Sequence, residues 1–117
     1  MQLINIINQD YVSSSEVTEQ YKTAKREFIK TLKQYFGKDA VIVKSCPHFE
    51  FTGFVMKNKK YVYFSTGDLR WNVCNSMLVR IAKNDTDWTG GRNQSISYAA
   101  DDFDNSFVAL VNHLLYN

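Results

Sequence analysis

The stretch Phe49-Glu50-Phe51-Thr52-Gly53-Phe54-Val55-Met56-Lys57-Asn58-Lys59-Lys60-Tyr61-Val62-Tyr63-Phe64-Ser65 decides the fold class. Phe49, Phe51 and Val55 alternate with Glu50, Thr52 and Phe54, a period of two that suits a strand. Tyr61, Val62, Tyr63 and Phe64 form a second run of the β-branched and aromatic residues that strands favour. The polar turn Lys57-Asn58-Lys59-Lys60 lies between them. Residues 48–65 therefore read as a β-hairpin, and its lysines would keep an exposed sheet end from pairing with other chains.

Strand-like segments continue on both sides. Ala40-Val41-Ile42-Val43 is a short apolar run before the hairpin, and Pro47 interrupts any longer strand there. After the break at Ser65-Thr66-Gly67-Asp68, Met77, Val79 and Ile81 alternate with Leu78, Arg80 and Ala82. Residues 94–98 read as a short fifth strand. Leu3, Ile4, Ile6 and Ile7 read as a β-like opening, at a sheet edge or across the core.

Helices flank this β region. Val17, Tyr21, Ala24, Phe28, Leu32, Tyr35 and Phe36 recur at steps of three and four, one apolar helical stripe. Ser13 and Glu16 stand in capping-box spacing before it, and Gly37 stands where a helix would stop. Phe103, Phe107, Leu110, Val111 and Leu114 mark a last helix, with Asp101 or Asp102 as its cap. The order predicts an α+β fold in one domain, residues 1–117. An antiparallel sheet of four to five strands would carry an N-terminal and a C-terminal helix packed on one face. Its other face would need water, a partner or a second copy of the chain.

Composition narrows the function classes. The apolar share is 44% and the charged share 22%, close to globular averages, so the chain is not a disordered one. The aromatic share of 15% is high, enough for a core built on rings or for rings left at a contact surface. Ten Lys/Arg face six Asp/Glu before residue 61, and four face six after it, so the halves carry +4 and −2. That balance neither demands nor excludes nucleic acid. Cys46 and Cys74 are too few for a disulfide framework and suggest reduced thiols in a cytoplasmic protein. The first residues lack the basic start of a secretory signal, and no run approaches a membrane span.

Three surfaces are candidates for chemistry. The first joins Ser65–Trp71 to the polar loop Asn84-Asp85-Thr86-Asp87-Trp88-Thr89-Gly90-Gly91-Arg92-Asn93. Paired glycines allow a tight loop, and arginine and tryptophan combine desolvated area with directional donors. Asp68, Arg70, Trp71, Arg80, Asp85, Asp87, Trp88, Arg92 and Asn93 would form one partner-binding patch if segment 68–75 brought the two loops together. The second surface is basic: Lys22, Arg26, Lys30 and Lys33 on the first long helix, with Lys57, Lys59 and Lys60 at the hairpin tip. Tyr61 and Tyr63 could add stacking surfaces for a single-stranded nucleic acid. The third is a nucleotide or small-ligand pocket lined by Arg80, Arg92 and Trp88.

Catalytic and metal signatures are weak. Cys46-Pro47-His48 is one close-spaced pair where zinc needs four converging ligands. The Asp85 loop matches the early positions of a calcium loop but has Ile96 where a bidentate glutamate belongs. Asp101, Asp102 and Asp104 sit at a helix start, where carboxylates satisfy amides and the dipole. The expectation is no metal, no cofactor and no enzyme activity. The compact, aromatic- and asparagine-rich character is similar to small accessory proteins carried by phages and mobile elements, a resemblance of composition that covers no motif. It implies an inhibitor of a host defence protein that acts by steric occlusion. The partner expected is a protein, with nucleic acid or a second copy as alternatives.

Overall fold

The computed structural model describes residues 2–9, 11, 18–44, 49–70, 75–88 and 90–116. Five strands, β1 (Val41–Lys44), β2 (Thr52–Lys57), β3 (Lys60–Ser65), β4 (Ser76–Ala82) and β5 (Gln94–Ser97), pair antiparallel in the order of the sequence. Among the described residues, helices α1 (Leu3–Ile7), α2 (Glu19–Phe36) and α3 (Phe103–Tyr116) accompany the sheet. The α+β class, the sheet and its flanking helices follow the sequence pattern. Among the described residues no helix is long and apolar enough to cross a membrane.

The hairpin closes through Asn58 and Lys59, whose φ angles are 52° and 66°. Two left-handed residues in a row are what a tight two-residue turn needs to match the twist of its strands. The register sets Val41, Val55 and Val62 side by side on one face, and Val43, Gly53, Phe64 and Val79 next to them. This face carries the helices. Phe28 of α2 packs on Phe51 and Phe64 at ring distances of 4.6 and 6.1 Å, and Phe107 of α3 meets Phe64 and Phe36 at 6.3 and 6.0 Å. An aromatic core of this kind contributes both area and edge-to-face contacts. Gly53 is needed for room: a Cβ there would lie 2.2 Å from the Ile42 carbonyl oxygen.

Two helix starts differ from the sequence expectation. The opening segment is a helix, with Leu3, Ile6 and Ile7 buried at helical spacing, and not a strand. It is too short to be stable alone, so tertiary contacts hold it. Asp104 of α3 accepts hydrogen bonds from the amides of Leu3 (2.8 Å) and Ile4 (3.1 Å). A carboxylate thus caps the positive end of α1 from 100 positions away. Asp104 serves α1, while Asp102 accepts from the Asn105 amide at the start of α3. Helix α2 begins at Glu19, with Thr18 as its cap accepting from the Tyr21 amide at 3.1 Å. Ser13, Glu16 and Val17 lie outside the described residues. Gly37, at φ 100°, ends α2 in a conformation that disfavours a side chain.

Tyr35 donates from its hydroxyl to the same Asp104 carboxylate at 2.5 Å. Burial first, then this hydrogen bond and the charges of Asp104 and Asp102, push its pKa up to about 12. The folded chain therefore keeps this proton while the unfolded chain releases it near the usual tyrosine value of about 10. Stability is expected to hold below that value and to fall as pH rises from it toward 12. Tyr11, buried and donating to the Ile6 carbonyl, is shifted in the same direction. Unfolding midpoints followed through alkaline pH should fall less steeply in Tyr35→Phe. An unchanged slope would show that the Tyr35 hydroxyl contributes nothing to the alkaline transition.

Candidate functional site

The face of the sheet turned away from the helices carries Ile42, Phe54, Tyr63 and Arg80 in one cross-strand row. Directly opposed residues share a face, so the row follows from register alone. Its middle is not left to water or to a second molecule, as the helix-on-one-face pattern had implied. The loop between β4 and β5 folds back over it. Trp88 lies 5.7 Å from the Phe54 ring and 5.9 Å from the Tyr63 ring. Phe54 and Tyr63 are themselves an edge-on pair at 5.4 Å. An indole that would otherwise stand in solvent gains area and ring contacts there.

Arg80 props the loop from below. Its guanidinium stacks on Tyr63 at 4.2 Å, and Nη2 donates to the Asp87 carbonyl at 3.1 Å. The side chain is 3% exposed, and Nη1 has no hydrogen-bond partner among the described residues. A buried, half-satisfied cation is costly by itself. Stacking on an aromatic face offsets part of that cost. Gly90 leaves the space this arrangement requires. A Cβ at Gly90 would lie 2.6 Å from Arg80 Nη1, 2.8 Å from Asp87 Oδ2 and 2.5 Å from the Ile81 carbonyl oxygen. The glycine is there for room beside the guanidinium.

Local bonds fix the rest of the loop. The Lys83 amide donates to Asp87 Oδ2 at 2.9 Å, the Thr86 amide to Asn84 Oδ1 at 2.9 Å, and the Gly91 amide to the Ile81 carbonyl at 3.0 Å. Lys44 of β1 reaches Asp85 at 3.4 Å and passes over the Phe54 ring at 5.9 Å. Asp85 and Asp87, read from sequence as outward charges, are thus engaged within the chain. Trp88 remains 54% exposed on top of this assembly, and Arg92 and Asn93 are exposed farther along the same loop.

Asp68 and Arg70 lie elsewhere. Arg70 Nη2 meets Asp68 Oδ2 at 2.8 Å, and its guanidinium lies 4.6 Å from the Phe49 ring. The pairing with Asp68 raises the Arg70 pKa. Phe49 stacks near Tyr21 of α2 and belongs to the helix-side core. The pair and the Trp88 loop therefore occupy opposite sides of the sheet, and the single patch expected from the two loops does not form. The reason is geometric: the loops leave opposite ends of β4, a strand of seven residues, or about 20 Å at the usual rise. Trp71, Cys46, Pro47, His48 and Cys74 lie outside the described residues.

The basic residues are placed on two elements. Lys22, Arg26, Lys30 and Lys33 are exposed on α2, where Lys22 pairs with Glu19 at 3.4 Å. A shallow depression of about 450 Å³ runs past Arg26, Ile29, Lys30 and Lys33. Lys59 and Lys60 are exposed at the hairpin tip, and Lys57 lies over the Tyr116 ring at 5.9 Å. Sequence reasoning missed Phe54 and Lys44 as parts of the Trp88 assembly. The strand alternation around Phe54 was a usable signal, since it puts that ring opposite the helix-facing valines.

No protein-family model matches this chain, and no curated protein or solved structure is detectably similar to it.

Proposed function

We propose that this chain is a non-enzymatic binding domain that engages a protein partner through Trp88, with Arg92 and Asn93 at its edge. The single observation that carries this reading is the state of the indole. It is more than half exposed, yet its ring is already held by Phe54 and Tyr63 on a five-stranded sheet. An exposed aromatic anchor fixed before contact loses little conformational entropy on binding. Tryptophan and arginine are also the residues that dominate interface energetics. Such a surface acts by occupying a partner's surface, so steric occlusion, including inhibition of a host factor, is the mode of action it supports.

The test is affinity capture from the native host, followed by titration of the purified partner against three forms of the domain. Trp88→Ala should weaken binding by about thirtyfold, the loss typical of a central anchor. Arg92→Glu should weaken it by about tenfold with an unchanged unfolding midpoint, because the side chain is exposed. A partner that both variants bind as tightly as the wild type would refute the reading.

A further inference from the structure

A second surface lies where the hairpin tip, the end of β4 and the last turns of α3 converge. A groove of about 330 Å³ opens there, floored by Tyr61, Ile81, Ala82 and Leu114 and rimmed by Lys59 and Lys83. Ile81 is 48% exposed, although Val79, two residues earlier on the same strand, is fully buried. Ile81 does not stand alone, since Tyr61, Ala82 and Leu114 line the same groove and make one contiguous apolar strip. The groove continues past Lys83 toward Gly90 and Gly91 through a depression of about 390 Å³. Asp87 is the carboxylate lining that continuation, and it already accepts from the Lys83 amide. Lys57 adds a further cation at this end, over the Tyr116 ring.

We propose that this groove seats an acidic peptide segment of a partner protein, with one aliphatic side chain on Ile81 and Leu114 and carboxylates on either side facing Lys59 and Lys83. Charge complementarity chooses the sign of the occupant. The aliphatic floor chooses its kind. A peptide can cover Ile81 with a side chain while presenting carboxylates to the rim. A nucleic-acid backbone would satisfy the lysines but place phosphates over an apolar floor. The volume suits one leucine-sized side chain and its neighbours, so the contact is of the weak, transient kind. The inference does not depend on Trp88, which lines neither the groove nor its continuation.

The test uses the full chain and a short fluorescein-labelled peptide in which one leucine is flanked on both sides by alternating aspartates and glutamates. Three comparison probes are the same peptide with serine for leucine, its lysine counterpart, and an oligodeoxythymidylate of similar length. The acidic leucine peptide should bind best, and added salt should weaken it, as for any contact between exposed charges. Lys59→Glu combined with Lys83→Glu should reduce affinity by about tenfold or more. Ile81→Ser, or serine in place of the peptide's leucine, should each reduce it by about fivefold, the loss expected of a half-buried aliphatic contact. Both lysines are exposed, so the double variant should keep the wild-type unfolding midpoint and remain interpretable if Ile81→Ser does not fold. Trp88→Ala should bind this peptide as the wild type does, which separates failure here from failure of the Trp88 reading. Three results would overturn the proposal: no peptide binding at about 1 mM, equal binding by the charge-reversed variant, or tighter binding of the oligonucleotide.

Discussion

Asp104→Leu is expected to lower the unfolding free energy by about 2–5 kcal/mol, the cost of one stranded buried amide and two lost part-buried hydrogen bonds. The carboxylate is 3% exposed and accepts from the amides of Leu3 and Ile4 and from the Tyr35 hydroxyl. Leucine fills similar space but accepts nothing, so three donors lose their acceptor at once. The buried Leu3 amide left unmatched costs about 1–3 kcal/mol, and the Ile4 amide and Tyr35 hydroxyl, whose bonds are only part-buried, cost less. Helix α1 would then undock and expose Leu3, Ile6 and Ile7. Against a total stability of about 5–15 kcal/mol, this is a large fraction. Denaturant titration gives the loss, and amide exchange at Leu3 and Ile4 locates it. Asp104→Asn should fall between the two, because its amide oxygen keeps one acceptor. A loss below about 1 kcal/mol in the leucine variant would mean that the carboxylate does not hold α1.

Gly53→Ala is the second large effect, expected at about 3 kcal/mol, the upper part of the range for overpacking a tight interior. The added methyl would meet backbone: the Ile42 carbonyl oxygen at 2.2 Å and the Val43 Cα at 2.9 Å. Side chains can rotate away from an intruder, but a paired strand cannot. Edge strand β1 must therefore move, and its four-residue pairing with β2 is the part at risk. Lost exchange protection in β1, with the β2–β3 hairpin still protected, would be the signature. A variant with wild-type stability would show that β1 shifts at no cost.

The elements legible in the sequence were those whose pattern is local. The β2–β3 hairpin announced itself by alternation on both sides of a polar turn, and α2 and α3 by apolar stripes that persist over several turns. Helix α1 was not legible. In five residues, burial of Leu3, Ile6 and Ile7 looks much like a short strand of β-branched residues, and its cap is contributed by a residue near the other end of the chain. The candidate site shows the same division. Trp88 and Gly90 stood out as loop residues. That the loop lies down on the sheet depends on Phe54 and Tyr63 being cross-strand neighbours, which only register reveals. Glycine at position 90 signalled conformational freedom in sequence; its structural purpose is space for the Arg80 guanidinium. In sequence Asp85 and Asp87 read alike as outward charges; in the fold Lys44 and the Lys83 amide engage them.

The bond between Asp104 and the Leu3 amide spans 101 positions. A ribosome adding about 5–20 residues per second needs roughly 5–20 s to go from one to the other. Throughout that interval the Leu3–Ile7 segment lacks the carboxylate that accepts from its first amides and the α3 side of its packing. This greasy segment must wait, sheltered by whatever the cell supplies, until Asp104 has been made.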